Sequence, residues 1–211
     1  MFYTIENDIT AEIVEKKSKF IADLFYVENK IEAENKVKEI KKKYYDAKHH
    51  CFAYITFDEE KNIIERCSDD GEPSGTAGAP MLALLKGSKL CNVLVVVTRY
   101  FGGILLGTGG LVRAYSDATS KALNEVQRMT IEQGKEIRVL VTYPEIENLK
   151  YYCRKNSINI IKEEYLDNVE IFIEISNEML EKMKSDSDKK YLKMTKIDII
   201  GEKNIKTNVV I

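Results

Sequence analysis

Histidine, paired cysteine, long apolar runs and an excess of one charge are all scarce in this 211-residue chain. Each shortage removes a class of function. The two histidines, His49 and His50, are adjacent. Neighbours on a strand point to opposite faces, so only His49 with Cys51, or His50 alone, can share one. With no further ligand close by, a metal site is not expected there, and His50 reads as a structural or substrate-facing residue. Cys51, Cys67, Cys91 and Cys153 form no C-x-x-C pair and sit in apolar or strand-like stretches. They are expected as reduced core thiols, not as a disulfide frame or a zinc site.

Charge is balanced. The formal net charge is −2. Residues 1–130 carry 18 Lys/Arg against 19 Asp/Glu, and residues 131–211 carry 14 against 15. Global charge therefore gives no support for polyanion binding, which would need a local basic face. No apolar stretch approaches the roughly 20 residues of a spanning helix, and MFYTIENDIT has no basic, apolar signal-peptide pattern. A cytoplasmic protein without membrane contact is expected. The chain contains neither G-x-G-x-x-G nor a Walker loop, so no nucleotide cofactor is implied. Ser74 stands in G-E-P-S-G, which is not a nucleophile elbow, and no nucleophile–base pair is evident.

What is present centres on Cys91–Gln127. Val93–Val97 reads as a strand buried on both faces. It runs into Arg99-Tyr100-Phe101 and two glycine clusters, Gly102-Gly103 and Gly107-Thr108-Gly109-Gly110. A helix follows with the apolar stripe Leu111, Tyr115, Ala118 and Ala122 and a polar side carrying Arg113. Glycines before a helix start suit close approach to an anion, to which Arg99 and Arg113 could add charge-assisted bonds. The plainer reading is that these glycines serve tight turns and packing.

Upstream, residues 9–27 predict two strands around Lys16-Lys17-Ser18, the second opened by Lys19 and Phe20. Asn29 starts a helix with Glu32 as capping-box partner and a buried stripe of Ala33, Val37, Ile40 and Tyr44. Lys36, Lys38 and Lys41–Lys43 give that helix the best basic patch in the chain, though such a face is usually only solvated. Strands are expected at His49–Phe57 and Ile63–Ser68 around a charged turn, Asp58 to Asn62. The loop from Asp69 to Pro80 then leads into an apolar helix, Met81–Lys86. In the plain reading Ser74 or Thr76 caps that helix. In the sharper one Asp69, Asp70 and Glu72 hold magnesium, position Arg99 and Arg113, or supply acid–base chemistry.

After Met129 the spacing predicts a strand at Lys135–Thr142, a helix at Glu145–Lys155 begun by Pro144, and strands at Ile158–Tyr165 and Val169–Ile175. A helix capped by Asn177 and extended segments at Lys193–Ile200 and Ile205–Ile211 complete the set. Strand, helix, strand, strand, helix, strand is a ferredoxin-like order.

Four ordered motifs carry a resemblance. They are Ser18-Lys19-Phe20-Ile21-Ala22, His50-Cys51-Phe52-Ala53-Tyr54, the run S-DDGEPSGTAGAP from Ser68 to Pro80, and the run from Val95 to Tyr115. Together they resemble the IMPACT/YigZ family over most of residues 1–128. The resemblance implies an α+β protein. Its first domain (1–131) would share the fold of a domain of a small-subunit ribosomal protein and of elongation factor G. The second (132–211) would be like that factor's last, ferredoxin-like domain. Eukaryotic relatives regulate translation by competing for the activator of a starvation-responsive initiation-factor kinase. They use an additional N-terminal domain that this chain is expected to lack.

The leading expectation is thus a non-catalytic, translation-associated protein binding RNA, a ribosome or a ribosome-bound partner, without cofactor or metal. It is expected to be a monomer or weak dimer. The candidate surface comprises Lys19, His50, Asp69, Asp70, Glu72, Thr76, Arg99, Tyr100, Gly102, Gly103, Gly107, Gly109, Gly110 and Arg113. Two alternatives stand beside it: a metal-dependent enzyme acting on a small phosphorylated or carboxylated substrate through Asp69–Glu72, and a pure protein-interaction module.

Overall fold

The structure, a computed structural model, describes residues 2–58, 60, 62–189 and 191–208. Glu59 and Lys61 of the expected charged turn, and Val209–Ile211 of the last expected strand, lie outside the described residues. The chain divides into two compact units between Thr130 and Ile131.

The first unit is built on β6 (Val93–Tyr100), whose residues are buried up to Arg99. It lies at the centre of a five-stranded sheet in the order β2 (Ile9–Glu15), β3 (Ser18–Tyr26), β6, β4 (His49–Phe57), β5 (Ile63–Ser68). All four pairings are antiparallel. A run of β-branched residues is usually the mark of a parallel strand; here it is explained by helices covering both faces. On one face, α1 (Lys30–Lys43) packs Ala33, Val37 and Ile40 against Tyr54, Leu94 and Val96. Alternation turns Val93, Val95 and Val97 to the other face. That face is covered by α2 (Gly78–Gly87) and α3 (Gly107–Glu125), with Tyr115 edge-on to Phe20 at 5.2 Å.

Local chemistry explains the element ends. Asn29 caps α1 by accepting from the Glu32 N–H at 3.0 Å, while Glu32 Oε2 reaches back to the Glu28 N–H at 2.7 Å. Lys16 and Lys17, with φ of 43° and 65°, form the tight turn that sets the Glu15–Ser18 register of β2 and β3. α2 begins three residues before the expected Met81, because a distant carboxylate satisfies its first N–H groups. A short strand that the sequence did not suggest, β1 (Tyr3–Ile5), pairs with Arg128–Thr130 at the start of β7 (Arg128–Val141). Cys51, Cys91 and Cys153 are buried, but Cys67 is exposed, because it sits on the edge strand β5. The expectation of four core thiols is corrected to three.

In the second unit, residues 131–141 of β7 are followed by a 3-10 turn at Tyr143–Glu145, then α4 (Ile146–Lys155), β8 (Asn159–Tyr165), β9 (Val169–Ser176), α5 (Asn177–Asp188) and β10 (Lys196–Asn208). The sheet order β10-β7-β9-β8 is that of a ferredoxin-like fold. Its core joins Ile137, Val139 and Val141 to Ile171, Ile173 and Ile175 and to Leu149, Leu180 and Met183 from the helices. Three expectations change here. Pro144 opens the 3-10 turn and not α4. The cap of α5 is Ser176, whose Oγ accepts from the Met179 N–H, and not Asn177. The last two segments form one strand through Gly201. Among the described residues no helix is long and apolar enough to cross a membrane.

Candidate functional site

The sequence candidates converge at one end of the first sheet, where β6 ends, β3 and β4 begin, and the loops 69–77 and 101–106 meet. Strand pairing fixes this. Arg99 lies opposite Phe20 and His49, and Tyr100 opposite Lys19.

The three acids of the first loop are turned to the protein's own donors. Asp69 Oδ1 accepts from the N–H groups of Ala77 (3.0 Å) and Gly78 (2.8 Å), and Oδ2 from that of Gly75 (2.8 Å). This is a helix cap supplied from nine residues away, in place of Ser74 or Thr76. Thr76 instead donates to the Pro73 carbonyl at 2.7 Å. Burial alone would raise the Asp69 carboxyl, but the three N–H bonds outweigh it and hold it below the usual range. Asp70, in left-handed backbone at φ 43°, accepts from the His50 N–H at 2.8 Å and from Lys41 Nζ at 2.6 Å. Burial opposes its ionisation too and is likewise outweighed, here by Lys41 and His50. Glu72 Oε1 accepts from Arg99 Nη1 at 2.6 Å and from the Tyr115 hydroxyl at 2.8 Å.

Arg99, expected at a ligand, is therefore buried. Its guanidinium also lies over the rings of Phe20 and Phe101, each at 5.5 Å. Beneath it, Cys51 Sγ donates to the Asp69 carbonyl at 2.9 Å, and burial pushes that thiol up to about 12. Burial raises the Tyr115 phenol as well. His50 is buried, with Nε2–H donating to the Tyr44 carbonyl at 3.0 Å and Nδ1 3.7 Å from Asp70 Oδ2. All three groups serve the frame. Among the described residues no cluster of three or more His, Cys, Asp or Glu is arranged to hold a metal.

The glycines divide by role. A Cβ at Gly102 would stand 2.0 Å from the Lys17 carbonyl carbon, so this residue lets the loop close onto the β2–β3 turn; its N–H donates to Ser18 Oγ at 3.1 Å. Gly103 and Gly107 take left-handed backbone at φ 84° and 71°. Gly109 and Gly110 lie in the first turn of α3, where a Cβ at Gly109 would meet nothing within 4 Å. Lys19 pairs with Glu12 at 2.6 Å. Arg113 is exposed and makes no ion pair with a described residue.

Comparison with known proteins places the chain. The Impact N-terminal domain matches residues 16–123, and a Domain of unknown function (DUF1949) matches residues 139–186. The chain belongs to the IMPACT family. It is 39% identical over 172 residues to IMPACT family member YvyE of Bacillus subtilis, covering 80% of this chain and 77% of that one. To IMPACT family member YigZ of Escherichia coli it is 37% identical over 150 residues, 71% and 74% of the two chains. A crystal structure of a hypothetical protein superposes with a TM-score of 0.61 at 30% identity, over 95% of this chain and 97% of that one.

Sequence reasoning about this IMPACT-family chain overlooked Tyr45 and Asp46. Asp46 accepts from the Tyr100 hydroxyl at 2.7 Å, and this bond, with burial, pushes the phenol up to about 12. Tyr45 is 84% exposed. The signal was the dipeptide Tyr44-Tyr45 directly after three lysines, of which only Tyr44 fits the buried stripe.

Proposed function

We propose that the protein is a non-catalytic, translation-associated regulator that binds RNA, a ribosome or a ribosome-bound partner through this end of the first unit. One observation carries the reading. The acids of the loops, Asp46, Asp69, Asp70 and Glu72, are engaged by the protein's own donors. By contrast, Lys16, Lys17, Lys42, Lys48 and Arg113 are exposed and make no ion pair with a described residue. Asp70 and Glu72 are paired with Lys41 and Arg99, and the five unpaired cations outnumber Asp46, Asp69 and Glu15, acids here without a cation, so a chain of balanced charge presents a locally positive end, the footprint of a polyanion partner. Left-handed backbone at Lys16 and Lys17 adds support. It costs about 1 kcal/mol at each residue, yet lysines stand where Asn-Gly would avoid the strain. The translational setting is what the family resemblance implies.

Co-sedimentation with ribosomes across a salt series tests this. Association should weaken with salt, and Arg113→Ala or Lys42→Ala should lower the salt slope by about one for each phosphate no longer neutralised. A protein that stays at the top of the gradient at every salt overturns the reading. Ile104 and Leu105, 41% and 84% exposed, favour a second reading, a protein-interaction module. That reading requires binding that survives nuclease and is indifferent to salt.

A further inference from the structure

We infer that the nucleic acid this end takes is single-stranded RNA, held by stacking on Tyr45, Tyr100 and Phe101; the inference rests on the polyanion reading above. Exposed lysines alone would suit any phosphate backbone. The aromatic rings select further, since paired bases keep their faces inside the helix and only unpaired bases can stack on a side chain.

The rings are placed for this. Tyr100 is half-buried with its hydroxyl fixed by Asp46, and Tyr45 directly precedes Asp46 in the chain. Tyr45 makes no hydrogen bond to a described residue, so nothing in the fold requires an aromatic ring there. On the opposite side of β6, Phe101 is 54% exposed and has the Arg99 guanidinium over its ring. Arg99, itself held by Glu72, thus acts as a positioning residue for Phe101 and not as a phosphate ligand. A strand crossing the end of β6 from the α1 side to the α3 side passes Tyr45 and Tyr100, then Phe101. Lys42 and Lys48 flank Tyr45 in sequence. Lys16 and Lys17 lie at the turn onto which Gly102 closes, one residue beyond Phe101.

Fluorescence anisotropy with a short labelled oligouridine and an RNA duplex of equal length tests the inference. The single strand should bind more tightly. Tyr45→Ala should weaken it by about five- to a hundredfold, the range for removing one stack, with little change for the duplex, and Tyr45→Phe should restore it. Tyr45 is too exposed for its loss to unfold the protein, and Phe101→Ala gives an independent second reading. Equal affinity for both RNAs with a neutral Tyr45→Ala overturns the single-strand inference and leaves the polyanion reading standing. Ribosome association without oligouridine binding also overturns the inference alone, whereas failure to bind either ribosome or RNA overturns both.

Discussion

Arg99 Nη1 and Glu72 Oε1 stand 2.6 Å apart with side chains only 7% and 4% exposed, so the most conspicuous cation of the glycine loop is paired inside the protein. The pair ties the 69–77 loop to the end of β6, with Tyr115 of α3 as a third member. Removing one partner leaves the other charge buried without compensation, at a cost of about 3–5 kcal/mol. Arg99→Met and Glu72→Gln should each destabilise by that order in denaturant unfolding. The double variant should lose clearly less than the sum of the two. Strict additivity would mean that the two side chains do not depend on one another.

Two glycines of one loop should behave oppositely. At Gly102 a Cβ would meet the backbone of Lys17 and Ser18 at 2.0–2.4 Å, and backbone cannot swing aside. Gly102→Ala should destabilise by about 1–3 kcal/mol or more. At Gly109, helical and with open space around it, Gly109→Ala should stabilise by about 0.4–1 kcal/mol by restricting the unfolded chain. Thermal melts of both variants decide the point. Equal effects would sink the division into packing and free glycines.

That division shows how far the sequence could be read. Val93–Val97, the Asn29–Glu32 cap and the alternation of β9 were legible because each is written in neighbouring residues. The convergence of Lys19, His50, Asp69–Glu72 and Arg99–Gly103 was legible only as motifs in order. What stayed hidden is tertiary. β1 finds its partner more than a hundred residues away. Asp69 caps a helix from eight and nine residues away, beyond any local capping pattern. The direction of Arg99 depends on Glu72, 27 residues before it. A glycine that needs φ above zero and a glycine that needs only space look identical in a sequence.

Asp69 makes stability depend on pH. Its carboxyl is held below the ordinary value of about 3.9. Ionised Asp69 therefore contributes fully above that pH, and the contribution fades as pH falls through the lowered folded value. Asp69→Asn keeps one acceptor but turns an N–H₂ towards donors, and should cost about 1–2 kcal/mol at pH 7. Urea unfolding of both proteins should show the gap narrowing below pH about 4. A gap of constant size down to acid would show that the charge on Asp69 plays no part.

Lys16 and Lys17 offer a trade between stability and binding. Both have positive φ, which is costly for a residue with a Cβ, and together they form the turn between β2 and β3. The double substitution Lys16→Asn, Lys17→Gly supplies the residues such a turn prefers and should stabilise the protein by about 1–2 kcal/mol. It also removes two exposed cations from the end of the sheet where the loops meet. The variant should therefore melt higher yet hold ribosomes less firmly, with a salt slope about two units shallower if both lysines touch phosphate. Higher stability with unchanged binding would move the polyanion surface away from this turn and onto Lys42, Lys48 and Arg113. Lower stability would mean that the lysine side chains themselves contribute to the turn.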